Sequence, residues 1–104
     1  MSVITNINKI INYFENLSEN EISVKSDRID FSDENERKEF TVNLANSLDT
    51  KFKDRFIAEN IFEGLLNINF DGRKFTITLI KCRICNGPYY YIWRIDTNNS
   101  IDTL

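Results

Sequence analysis

Histidine is missing from this chain, and glycine, cysteine and proline are scarce, with three, two and one copies in 104 residues. The first absence removes the commonest general base and metal ligand, and it leaves neither a serine nor a cysteine nucleophile with its usual partner. The shortage of glycine goes with the lack of any G-x-x-x-x-G-K-[ST] or G-x-G-x-x-G segment, so nucleotide binding through a glycine-rich loop has no support. Cys82 and Cys85 are too few for the disulfide framework of a small secreted domain and suit a reducing compartment. Their CxxC spacing is that of redox and zinc motifs, but a structural zinc needs two further Cys or His ligands, and the chain has no third cysteine. Cys82 is therefore read as core filler and Cys85 as a residue at the edge of a turn. Long apolar runs are lacking as well, and the first residues, MSVITNINKIINYF, do not read as a leader. The expectation is a soluble cytoplasmic protein that is not an enzyme and holds no metal or cofactor.

What is present describes an ordered globular chain: 41% hydrophobic and 28% charged residues, read as one domain over 1–104 with a polar tail, TNNSIDTL, expected to fray from about 97. The net charge of −3 conceals an asymmetry. Acids from Glu15 to Glu39 outnumber the bases around them, whereas from Arg73 onward Arg73, Lys74, Lys81, Arg83 and Arg94 outnumber Asp96 and Asp102. One side should be acidic and another mildly basic.

Val3, Ile7, Ile10, Ile11, Phe14 and Leu17 recur at helical steps and predict an amphipathic first helix, capped by Ser2 or Thr5. In EISVKSDRIDFS the alternation slips at Ser26-Asp27, which predicts a hairpin pairing Val24 with Ile29 and Ile22 with Phe31, or else a single bulged strand. Asp33 followed by Glu36 makes a capping-box start for a second helix with the stripe Phe40, Leu44, Ala45 and Leu48. Phe52, Phe56, Ile57 and Ile61 favour a further short helix within Thr50 to Phe62, with an extended reading open. Beyond it, Asp71-Gly72 predicts a hairpin pairing Ile68 with Phe75 and Leu66 with Ile77. A second turn at Asn86-Gly87 would return YYYIWRID as a third strand, pairing Ile84, Cys82 and Ile80 with Tyr89, Tyr91 and Trp93. The fold class is α+β, two or three helices on one face of an antiparallel sheet that includes a C-terminal three-stranded meander.

Three functions follow from these features. The leading one is a small inhibitor that binds a protein target and occludes its active or nucleic-acid-binding site, as toxin-immunity proteins, antitoxins and phage inhibitors of bacterial defence do. Its acidic contacts would be Asp30, Asp33, Glu34 and Glu36, complementing a basic site on the target, and its aromatic anchors Tyr89, Tyr90 and Trp93. The alternative is a single-stranded nucleic-acid-binding module in which Lys81, Arg83, Tyr90 and Arg94 share one face of the last hairpin. A redox or metal role for Cys82 and Cys85 ranks third. A sheet face of exposed aromatics would also suit a homodimer.

Overall fold

The computed structural model describes residues 3–18, 24–84 and 87–97. Three helices, α1 (Val3–Glu15), α2 (Glu34–Lys38) and α3 (Phe40–Phe52), pack against a five-stranded antiparallel sheet of β1 (Lys25–Asp30), β2 (Phe56–Phe62), β3 (Leu65–Phe70), β4 (Arg73–Lys81) and β5 (Tyr90–Thr97). Strand order is β1-β5-β4-β3-β2. The chain therefore runs β2 to β5 as a meander and closes it with β1, so that the last of the described strands lies inside the sheet.

The core is the sandwich between the helices and one sheet face. From α1 come Ile10 and Phe14, from α3 Phe40, Leu44 and Leu48, and from the sheet Ile29, Leu66, Ile68, Phe75, Ile77, Trp93 and Ile95, all at 1% exposure or less. Rings meet edge to face at its centre, Phe14 on Phe75 at 5.1 Å between centroids and Phe52 on Phe70 at 4.9 Å, an arrangement that aromatic quadrupoles favour.

Helix starts and turns follow from identifiable residues. Asp33, in an extended conformation, accepts from the Glu36 N–H, and the Glu36 carboxylate reaches back to the Ser32 N–H, which satisfies two donors at the entry to α2. The hairpin tip Asp71-Gly72 has φ of +53° and +84°, the primed-turn geometry that its sequence predicts, and the pairs Ile68 with Phe75 and Leu66 with Ile77 are as expected.

Three expectations are corrected. The Ile22 to Phe31 segment contains one strand, not a hairpin: Asp27 sits mid-strand opposite Trp93, Val24 is exposed, and Ile22 lies outside the described residues. Residues 56–62 are strand and not helix. Lys53, at φ +51°, ends α3 and starts a single 3-10 turn, after which the β-branched and aromatic run pairs with β3. Finally, β4 and β5 pair one residue out of the expected register, Leu79 opposite Trp93 and Lys81 opposite Tyr91. Because side chains alternate, that single step moves Trp93 from its expected partner Ile80 to a place opposite Leu79, on the side of the core. Of the tail expected to fray, Thr97 belongs to β5 opposite Phe75, and the rest lies outside the described residues. No described helix is long and apolar enough to cross a membrane.

Candidate functional site

The sheet face turned away from the helices is not covered by any described element, and the strand registers define what it presents. One cross-strand row carries Arg28, Ile92 and Ile80. The next carries Ser26, Arg94, Thr78, Leu65 and Phe62. Asp30 and Tyr90 pair beyond the first row; beyond the second lie Asp96, Thr76, Asn67 and Asn60. Solvated faces of antiparallel sheets are ordinarily polar. Here the polar end conforms, with Thr76 donating to the Asn67 side chain at 3.0 Å, but the other end does not. Tyr90, Ile92, Ile80, Leu65 and Phe62 form a diagonal apolar band from β5 to β2, with Ile80 50% and Phe62 55% exposed. Diagonal neighbours on a sheet stand about 7–8 Å apart, close enough to be covered together by one partner surface. Gly87 sets the place of the Tyr90 ring: at φ +116° it lies so close to the ring that a Cβ there would come within 2.9 Å of it.

The charges on this face are largely neutralised. Arg94 pairs with Asp96 at 2.9 Å and Lys74 with Glu59 at 2.9 Å. The hydrogen bond that Arg94 donates to the Asp96 carboxylate holds its guanidinium above the ordinary pKa. Arg28 and Asp30 remain, both on the edge strand and without an ion pair among the described residues.

The acidic group divides by task. Asp33 caps α2 and Glu36 bonds the Ser32 N–H. Glu34 takes the Arg37 guanidinium at 2.6 Å, and that hydrogen bond holds its carboxyl below the usual range while raising Arg37. Arg37 also reaches Glu63 and lies 5.8 Å from the centre of the Tyr91 ring. Three of the four acids read as partner-binding are thus engaged within α2 and at its entry, and Asp30 alone stands clear of that network.

The aromatic residues divide too. Trp93 is fully buried, its indole N–H donating to the Asn6 side chain of α1 at 2.7 Å, so it cannot anchor a partner. Tyr89 packs against the core and its carbonyl accepts from the Phe31 N–H. Only Tyr90 lies on the uncovered face. The basic quartet is likewise split by the register. Tyr90 and Arg94 share the uncovered face. Lys81 lies on the helix side, 5.4 Å from the centre of the Tyr91 ring, and donates to the Gly87 carbonyl; Arg83 follows the end of β4. Cys82 is buried as expected but is disulfide-bonded, which replaces the reading of a reduced thiol, and Cys85 lies outside the described residues.

Sequence reasoning missed Ile80, Leu65, Ile92 and Phe62 as site residues. The signal that finds two of them is apolar alternation out of phase with the core: β4 carries Ile80 besides Phe75, Ile77 and Leu79, and β3 carries Leu65 besides Leu66 and Ile68. Two clefts of about 640 and 320 Å³ lie elsewhere, by Asn46, Thr50 and Lys53 and by Leu17, Asp71 and Arg73. No three His, Cys, Asp or Glu side chains among the described residues gather to hold a metal. Comparison with family models, curated proteins and solved structures finds no match.

Proposed function

We propose that this chain is a small non-enzymatic inhibitor that binds a protein target and occludes it, in the manner of immunity proteins, antitoxins and anti-defence proteins. The observation that carries the reading is the apolar band Tyr90, Ile92, Ile80, Leu65 and Phe62 on a sheet face that no described element covers. Isolated exposed apolar residues are ordinary on any surface, but contiguous ones rimmed by polar groups mark interaction sites. Burial of the band supplies the attraction, Tyr90 is the aromatic anchor at its end, and Asp30 beside it offers a carboxylate to a basic target. Occlusion asks for no catalytic group on the inhibitor, only a shape that excludes substrate.

The alternative of a nucleic-acid-binding sheet is weaker on charge. Phosphate binding draws on cations free to replace counterions, and on this face Arg94 and Lys74 already hold carboxylates. Lys81 and Tyr90 do not share a face.

Affinity capture from extracts of candidate hosts, with nuclease added, compares the wild type with Ile80→Asp and Phe62→Asp. A stoichiometric protein held by the wild type and released by either variant is the expected result. A partner that disappears with nuclease, or one held equally by all three proteins, removes the reading.

A further inference from the structure

The two edges of the sheet are built differently. β2 is interrupted by a bulge between Ala58 and Asn60 and is crossed at its end by the Thr41 hydroxyl, which donates to the Phe62 carbonyl. Bulges and coverings of this kind prevent further strand pairing. β1 has neither. It runs in unbroken register with β5 from Lys25 to Asp30, and the Phe31 N–H continues the ladder by donating to Tyr89. That bond fixes the alternation: odd-numbered residues of β1 turn their backbone groups toward β5, while Ser26, Arg28 and Asp30 turn theirs outward. The side chains of the same three residues lie on the uncovered face, level with Arg94, Ile92 and Tyr90. The free edge therefore presents outward backbone groups together with one cation and one anion two residues apart, neither of them ion-paired among the described residues.

Charges on an edge strand ordinarily discourage pairing. Their order here discourages some registers and favours another. We infer that β1 is the dimerisation edge of this protein, pairing antiparallel with β1 of a second copy about a two-fold axis through Ile29. In that register Arg28 of each copy stands directly opposite Asp30 of the other, so both cross-strand pairs are of opposite charge and both belong to backbone-bonded positions. A slip of one residue in either strand of the pair would direct inward-facing backbone groups at outward-facing ones. The nearest symmetric slips that keep the backbone in phase place Arg28 opposite Arg28 or Asp30 opposite Asp30, and like charges directly opposite are unfavourable. The contact is isologous and closes on itself. Its axis is perpendicular to the sheet, so the helices of both copies stay on one side and the two uncovered faces join into one surface. In the single chain the outward N–H of Arg28 is held by the Asp27 side chain at 2.8 Å. Pairing exchanges that local bond for the Asp30 carbonyl of the second copy, so the edge is capped when alone and available when matched.

The test is sedimentation velocity on the full chain over a concentration series. The wild type is expected to show a reversible monomer–dimer equilibrium. Arg28→Glu places an acid opposite Asp30 at both contacts, and Asp30→Arg places a base opposite Arg28; each should weaken self-association by roughly tenfold or more. The double variant R28E/D30R restores opposite charges and should regain the dimer. An equimolar mixture of the two single variants should form heterodimers, since both acids of the R28E copy then face both bases of the D30R copy. Ile80→Asp should leave the dimer intact, which separates this contact from the apolar band. A wild type that stays monomeric throughout, single variants that dimerise as well as the wild type, or a folded double variant that does not recover would each overturn the inference.

Discussion

Asn6 and Trp93 form a buried pair that ties the first helix to the last strand, and the consequences are measurable at single residues. With the indole fully enclosed, the only tryptophan of the chain should emit at short wavelength, resist iodide quenching and shift to the red when urea unfolds the protein. Asn6→Ala removes the acceptor for a buried N–H, and leaving such a donor unsatisfied costs about 1–3 kcal/mol; the midpoint of the same fluorescence-monitored urea curve checks it. Asp27 extends the helix-to-sheet link one strand further. Its hydrogen bond to Lys9, aided by the Arg28 N–H and opposed by partial desolvation, holds its carboxyl below the ordinary value. The contribution of a carboxylate depressed in this way is fully present above its unfolded pKa of about 4 and is lost as pH falls through the lower folded value. Stability measured by urea between pH 6 and pH 2 should therefore decline into acid, and Asp27→Asn should decline less steeply over that window.

Single elements were legible in the sequence wherever their signal is local. The stripes of α1 and α3, the Asp33 cap and the Asp71-Gly72 hairpin need only neighbours within a few residues and stand as expected, although a break at Glu39 divides the one helix expected after Asp33 into α2 and α3. Asp33→Ala should cost about 1 kcal/mol by removing the acceptor that holds the Glu36 N–H, visible as a lowered urea midpoint with an unchanged slope. What was not legible depends on distance along the chain. β1 finds its partner in β5, more than half the sequence away, and nothing near Ser26-Asp27 announces that; the parity slip read there as a turn is the alternation of a strand with Asp27 turned toward Lys9. β2 was hidden because Lys53 ends the helix at positive φ without the glycine that usually marks such a stop. The candidate site failed for a related reason. A turn placed at Asn86-Gly87 sets a register one residue away from the observed one, and the burial of Trp93 against Asn6 decides between them. Every pairing assigned through that register changed, which is why Trp93 left the site and Ile80 gained new neighbours within it.

The whole molecule is two-layered, and the layers make opposite demands on one strand. Ile77 and Ile80 are three residues apart in β4, yet the first is 1% and the second 50% exposed. Ile77→Asp should abolish the cooperative urea transition, because an unpaired carboxylate would enter the core; Ile80→Asp should keep both the transition and the far-ultraviolet circular dichroism of the wild type. If the two variants behaved alike, the assignment of faces would fail, and with it the apolar band.

The placement of β5 between β1 and β4 also shapes how the protein comes into being on the ribosome. Translation delivers both long helices, β1 and the β2 to β4 meander before Tyr90–Thr97, the strand that joins the two parts of the sheet. Until then β1 has no partner, Asn6 awaits its indole, and the apolar stripes of α1 and α3 face a sheet still missing Trp93 and Ile95. Folding is thus held back until that strand has left the ribosome. A released chain truncated before Trp93 would present uncovered apolar surface to chaperones and proteases, whereas one that includes β5 would withdraw it.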